Sequence, residues 1–326
     1  MKYFVTGATG FLGGRIASML RELDHKVVAL VRNPEKAVDL KKQGVEIVQG
    51  DITVKESMRD AMNGVDGVFH VAAWYKIGAK DKSPAKLVNV TGTRNVLELM
   101  KELEIPKGVY TSTLTINSDT KGTVADETYK FNGKHISEYD KTKAEAHKVA
   151  CEFIKQGLPL VILMPGLIYG PNGTSLSDES LRMFLRKRLP MIPSKSAYNW
   201  AHVDDVAGIH IKAMEKAEPG SVYMVGGPIH TLTEAFEIAH KITGIRKPFT
   251  VPYQLLKLTR IFSLLVEKII PLPPMYTSEA LRVQAGVTYL GNSNKAKVEL
   301  GYNPRNLSEG LKETLLYELE KIKSRK

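Results

Sequence analysis

Through its first two thirds the chain alternates short apolar runs with amphipathic stretches, and that alternation leaves few folds open. YFVTG (3–7), KVVALVR (26–32), VEIVQGD (45–51), VDGVFHVAA (65–73), KGVYTST (107–113) and LPLVILMPG (158–166) read as strands. Between them lie helical patterns, beginning with FLGGRIASMLRELD, where Phe11, Leu12, Ile16, Met19, Leu20 and Leu23 share one side. NPEKAVDLKKQG, TVKESMRDAMNG, residues 84–104 and residues 138–156 read as further helices. Strands that are apolar throughout, separated by amphipathic helices, predict a parallel sheet covered on both faces. With 326 residues and 43% hydrophobic content, the chain can bury one large domain or two closely joined ones.

After Pro165 the rhythm breaks. GLIYGPNGTSLSD is loop-rich and RKRLPMIPSKSAYNW is expected to be irregular. HVDDVAGIHIKAMEKA then reads as a helix and GSVYMVGG as a late strand of the sheet. TLTEAFEIAHKITG carries a capping-box start, with Thr231 three residues before Glu234. The expected organisation is an α/β domain over 1–168, rejoined by 203–228, and a smaller mixed domain from 169–202 and 229–326. The apolar stretch 253–270 is interrupted by Lys257, Arg260, Glu267 and Lys268. A helix over a substrate pocket or in a subunit contact is expected there, rather than one lying on a membrane.

The single cysteine, Cys151, rules out an intramolecular disulfide and is expected in an apolar packing role. Met1 leads straight into a strand, so no secretory signal is expected, and a cytoplasmic location follows. No uncharged apolar run approaches the ~20 residues of a spanning helix. The net charge of +11 is dispersed, and no basic stripe with interleaved aromatics suggests nucleic acid. It suits anionic ligands such as a cofactor phosphate. No metal-ligand set is expected.

Gly7, Gly10 and Gly13 fall in the turn between the first strand and the first helix, in the spacing T-G-x-x-G-x-x-G. Such glycines permit a tight turn and close backbone approach, with the helix N-terminus facing a pyrophosphate. The Gly-Lys-Ser/Thr of a nucleotide-hydrolysing loop is absent. The residue closing the second strand reports on the adenine ribose: an acid suits NAD, an arginine the 2′-phosphate of NADP. Arg32 stands there, with Lys36 close by, so NADP is expected over NAD. Asp51, closing the third strand, is placed either to reach the adenine or to cap a turn.

Tyr139 and Lys143 lie four residues apart, on one helix face. A free phenol, with a pKa of about 10, is a poor acid–base catalyst at neutral pH. A nearby ammonium and a positive nicotinamide ring are expected to lower that value. A third hydroxyl should come from the end of the strand KGVYTST, to orient a substrate oxygen.

Taken together, TGATGFLG, YDKTK, NVTGTRNVLE, MPGLIYGP, HVDDVA and LGYNPR resemble the short-chain dehydrogenase/reductase superfamily, in its extended type. The resemblance spans essentially the whole chain. It implies a Rossmann-type doubly wound sheet and a catalytic set of Thr113, Tyr139 and Lys143, with Ser112 on the other face of its strand. It also implies cofactor contacts from Gly7, Thr9, Gly10, Phe11, Leu12, Gly13, Arg32, Asp51, Ile52, Ala72, Ala73, Asn89, Tyr139, Lys143, Pro165 and Ile168. Sugar-nucleotide members usually carry an arginine before HVDD and an acidic pair after the catalytic hydroxyl. Here Tyr198 holds the first position, and Leu114 and Thr115 follow Thr113. The chain is therefore more similar to the dihydroflavonol-reductase-like branch, which reduces carbonyls with NADPH. Trp74, Tyr169 and Tyr198, with Tyr75, Met164 and Trp200, are candidates for an apolar substrate pocket. The alternatives are an NAD-linked sugar-nucleotide epimerase or dehydratase, and a non-catalytic NADP-binding sensor. By the same resemblance, helices 84–104 and 138–156 would pair in a homodimer.

Overall fold

The computed structural model describes residues 1–267, 269–270, 272 and 277–324. Lys268 of the apolar stretch, and Arg325 and Lys326 of the terminal basic run, lie outside the described residues.

The first half alternates as expected: β1 (Lys2–Thr6), α1 (Phe11–Glu22), β2 (Lys26–Val31), α2 (Val38–Lys42), β3 (Glu46–Gln49), α3 (Glu56–Met62) and β4 (Gly67–His70). It continues through α4 (Ser83–Lys86), α5 (Thr93–Glu102), β5 (Gly108–Thr111), α6 (Glu138–Lys155) and β6 (Leu160–Pro165). Next come β7 (Leu167–Tyr169), α7 (Leu176–Leu185), β8 (Met191–Pro193), β9 (Ala197–His202), α8 (Val203–Lys216) and β10 (Val222–Val225). The remainder is β11 (Ile229–Thr231), α9 (Leu232–Thr243), β12 (Phe249–Val251), α10 (Tyr253–Val266), α11 (Ser278–Gln284), β13 (Thr288–Tyr289), α12 (Asn294–Leu300) and α13 (Leu307–Lys323).

Among the described residues seven parallel strands form the main sheet, in the order β10-β6-β5-β4-β1-β2-β3. Successive side chains of each strand enter opposite cores. Tyr3, Val5, Val27, Ala29 and Phe69 pack with α1 and α8. Phe4, Val28, Leu30, Val68 and Tyr110 pack with α3, α5 and α6. Burial on both faces explains why these strands carry no polar alternation. The strand order turns about at β1 and β4, and that switch point opens a crevice beyond their carboxyl ends.

Later residues build a third core, where Phe184, Trp200, Phe236, Leu311 and Leu315 meet. β10 still pairs with β6, and α8 still packs on α1, so 203–225 belongs physically with the main sheet. Three local expectations are corrected. Residues 84–104 are not one α-helix: a π-helical turn, Leu87–Gly92, separates α4 from α5. The Ile52 side chain fills the space a Cβ on Gly92 would need, 2.6 Å away. The stretch expected to be irregular contains β8 and β9, and β9 is held by β7, β11 and β13, all distant in sequence. In the loop-rich stretch, Ser175 and Asp178 form a capping box that starts α7. The apolar stretch forms α10, where Leu255, Phe262 and Leu265 are 49%, 70% and 61% exposed. Cys151 is half-buried against the second core. Among the described residues no helix is long and apolar enough to cross a membrane.

Candidate active site

The glycine turn is built by close backbone contact. Gly7 has φ +74°, and a Cβ there would stand 2.8 Å from the Ala72 backbone. A Cβ on Gly13 would stand 2.2 Å from the Gly7 carbonyl oxygen. Only hydrogen fits at either position. Gly10 precedes α1 and offers no side-chain cap, so the first N–H groups of the helix are left for a ligand. Across the crevice, the Thr6 hydroxyl accepts from the N–H groups of Val71 (3.1 Å) and Ala72 (3.2 Å), fixing the exit of β4. Thr9, Phe11 and Leu12 follow Gly7, whose backbone lies against Ala72 at the switch point.

Strand adjacency brings the ribose-side candidates together. Arg32 follows β2, is exposed, and has no side-chain partner among the described residues. The Asp51 carboxylate accepts from the Thr53 N–H (2.9 Å), which is the turn-capping alternative. Ile52 is buried, and its carbonyl accepts from the Asn95 amide at 2.8 Å. Beyond β6, the segment from Pro165 through Ile168 leads to Gly170, which approaches the Phe11 ring.

Ser137 caps α6 by accepting from the Asp140 N–H (3.0 Å), which presents Tyr139 in the first turn. The Tyr139 hydroxyl lies near the Thr113 hydroxyl, which acts to stabilise its phenolate. Ser112 points to the other side of its strand, onto His147 Nδ1 at 2.9 Å. Thr113, not Ser112, therefore stands with the phenol. The Lys143 ammonium is buried and donates to the Thr111 carbonyl (2.8 Å) and the Tyr110 hydroxyl (3.1 Å). Burial pulls the Lys143 pKa down to about 7.

Burial opposes the expected lowering at Tyr139, to which a bound nicotinamide ring would contribute. The Tyr139 pKa is raised, not lowered: burial dominates, and Tyr75 and Asp140 add to it. Lys143 spends its hydrogen bonds on β5 rather than on the phenol.

Asn89 sits in the π-helical turn. Its carbonyl accepts from the Trp74 N–H (2.7 Å), and its amide donates to the Thr142 hydroxyl (2.9 Å). It therefore ties the segment after β4 to α6. On the substrate side, the Tyr75 ring stands edge-on to Tyr139 at 4.8 Å. Tyr198 stacks on Tyr289 at 6.1 Å, and the Tyr289 hydroxyl donates to Asp140 at 3.1 Å. Tyr169 is placed elsewhere: it is fully buried in the third core, edge-on to Trp200 and His202, with its hydroxyl against Gly310. Trp200 packs in the same core.

Several residues here escaped sequence reasoning. His70 joins Thr6 (2.8 Å) to Thr93 (2.9 Å), and Thr93 also bonds the Tyr110 hydroxyl, so a buried polar chain runs from β1 to Lys143. Burial holds the His70 pKa down at about 3, so it stays neutral. A polar residue inside the apolar run VFHVAA was the available signal. Asp140 is buried beside Tyr139 with Ser137, Thr115 and Tyr289, and burial pushes its carboxyl up to about 7. Among the described residues no group of three or more His, Cys, Asp or Glu could hold a metal ion.

Comparison with known proteins places the chain in a family. The sequence pattern of the NAD dependent epimerase/dehydratase family matches residues 3–226. The chain belongs to that family. It is an NAD(P)-dependent enzyme of the extended short-chain dehydrogenase/reductase type. A Synechocystis family member provisionally named dihydroflavonol 4-reductase is 32% identical, over 95% of this chain and 92% of its own. A Stigmatella aurantiaca protein is 28% identical over 94% of this chain and 92% of its own. That protein is named 4-hydroxy-2-methyl-3-oxo-4-farnesyl-3,4-dihydroquinoline-1-oxide ketoreductase. The crystal structure of gox2253 matches with TM-score 0.85 at 28% identity, covering 98% of each chain.

Proposed function

We propose that this family member reduces an uncharged aldehyde or ketone to the alcohol, using NADPH. The observation that carries the reading is the Tyr139 hydroxyl. It is buried near the Thr113 hydroxyl, beside the Tyr75 ring and in the same wall as Tyr198 and Tyr289. Phenols, hydroxyls and one carboxyl suit an aromatic or apolar body bearing a carbonyl. A nucleotide diphosphate calls for cations, and Tyr198 occupies the position where a cation would meet it.

NADPH, when bound, supplies the hydride that forms the new C–H bond. Tyr139 donates its proton to the carbonyl oxygen, and Thr113 hydrogen-bonds that oxygen and orients it. Lys143, cationic below pH about 7, offsets the phenolate left on Tyr139. Gly7, Gly10 and Gly13, with the open N-terminus of α1, hold the pyrophosphate. Arg32, unpartnered and exposed, is free to pair with the 2′-phosphate.

The test is turnover of NADPH with a panel of aldehydes and ketones, against a Tyr139→Phe control. A loss of about 10²- to 10⁴-fold in the control is expected. No turnover above that control across a broad panel overturns the reading. The family description favours one alternative, an NAD-linked epimerase or dehydratase. Tightly copurified NAD, with no net cofactor consumption during turnover, would establish it.

A further inference from the structure

The short helix α11 carries a carboxylate with an unusual set of partners. Glu279 is 6% exposed. One of its oxygens accepts from the Glu138 N–H at 2.9 Å, in the first turn of α6. The other accepts from the Gly78 N–H at 2.9 Å, in the loop that follows β4. The Lys82 ammonium, at the far end of that loop, lies 3.1 Å from the same oxygen. One side chain therefore closes on two segments that are 201 and 141 residues away in sequence.

Both segments bear directly on Tyr139. The loop carries Trp74, held by Asn89, and Tyr75, whose ring stands against the Tyr139 ring. Glu138 immediately precedes Tyr139. Downstream of α11, the Tyr289 hydroxyl reaches Asp140, the residue immediately after it. Residues 279–289 thus grip the first turn of α6 on both sides of the phenol. A carboxylate is well matched to this place, because the first N–H groups of a helix lack backbone acceptors and the helix dipole favours negative charge there.

We propose that Glu279 is a positioning residue: it clasps the 74–82 loop over the site and fixes the turn of α6 that aims the Tyr139 hydroxyl. Glu279 touches none of the reacting groups and acts through the loop and the turn. The inference rests on the reading of Tyr139 as the proton donor. The glycine turn that holds the cofactor lies on other elements, β1 and α1, which Glu279 does not touch. Proton transfer therefore depends on the clasp, and cofactor affinity does not.

Glu279→Ala and Glu279→Gln test this in the full-length protein. Hydrogen–deuterium exchange at the Gly78 and Glu138 amides reads the clasp directly. Glu279→Ala should speed exchange at both amides by at least about ten-fold while amides of β1 and β5 keep their protection. Lys82→Met should speed Gly78 alone. In steady-state assays kcat should fall on the order of ten- to a hundred-fold, with the NADPH Kd unchanged within about two-fold. Glu279→Gln, which keeps an acceptor but loses the charge, should lie between. Unchanged exchange at Gly78 and Glu138 overturns the clasp. Parallel loss of Tm, NADPH affinity and kcat in both variants makes Glu279 a general structural residue and also overturns the proposal. If the wild-type protein reduces no carbonyl, the proposed reaction fails, while the exchange experiment still decides whether the clasp exists.

Discussion

The two walls of the site are made differently. The cofactor wall is a matter of backbone: Gly7 against Ala72, Gly13 against Gly7, and the uncapped end of α1. The proposed substrate wall is a matter of side chains: Tyr75, Tyr139, Tyr198, Tyr289 and Asp140, brought from four stretches of chain. A backbone wall has no spare room and answers to any added atom. A side-chain wall answers to the chemistry of each group and to its protonation.

That contrast can be broken or sharpened in order of expected effect. Gly13→Ala should do the most damage, because its Cβ would stand 2.2 Å from the Gly7 carbonyl oxygen. Relieving that clash should cost about 3 kcal/mol, on the order of a hundred-fold in cofactor affinity by fluorescence titration. Retained affinity would mean the turn is looser than its geometry states.

The pH profile of reduction comes next. Lys143, with an ordinary pKa of 10.5, is held near 7 by burial, so it is charged below that pH and neutral above it. The reductive kcat should therefore fall as pH rises through about 7, by up to about ten-fold per unit. Lys143→Met should be slow throughout and lack that limb. A wild-type profile flat from pH 6 to 9 would show that Lys143 does not titrate in the working complex.

Arg32→Ala should raise the NADPH Kd by about ten-fold and leave the NADH Kd unchanged, as loss of one charge-assisted contact predicts. Equal weakening of both cofactors would assign Arg32 some role other than the 2′-phosphate.

The last effect is on stability and not on the reaction. Asp140, ordinarily at 3.8, is pushed up to about 7 in the folded chain. Between those values the folded chain keeps a proton that the unfolded chain has lost, so this group's contribution falls as pH rises from about 4 to about 7. Asp140→Asn removes that dependence. Chemical denaturation should find the variant stabilised relative to wild type by about 1–3 kcal/mol more at pH 8 than at pH 5. Parallel pH dependence in the two proteins would place the Asp140 proton elsewhere. Self-association can be read in the same samples. The outward positions of α5 and α6 carry Arg94, Lys101, Lys141, Lys148, Glu152 and Lys155, a charged surface for the helix pair expected to dimerise.

Legibility in the sequence followed the same division. Most strands of the main sheet were readable because they are apolar on both faces and, from β1 to β5, alternate with helices. The glycine turn and the Tyr139–Lys143 pair were readable because each lies within one short run. β8 and β9 were not, because β9 is stabilised by β7, β11 and β13, and no local pattern announces such partners. Nor was Tyr169, an aromatic beside the glycine-proline turn, distinguishable by type from Tyr198. One packs in the third core and the other stacks on Tyr289. Asp140 and Glu279 looked like ordinary helix-surface acids. Their partners Tyr289 and Gly78 lie 149 and 201 residues away.

The zero clearance between Gly7 and Ala72 has a historical consequence. A turn made from main chain offers little for point substitution to adjust, so a pyrophosphate seat of this kind is inherited whole or lost, while the ribose end stays adjustable through Arg32. The opposite wall can be rewritten one residue at a time, through Tyr75, Tyr198 or Tyr289, without disturbing that seat. Descendants of such a chain are free to diverge in what they accept while remaining bound to the same redox currency.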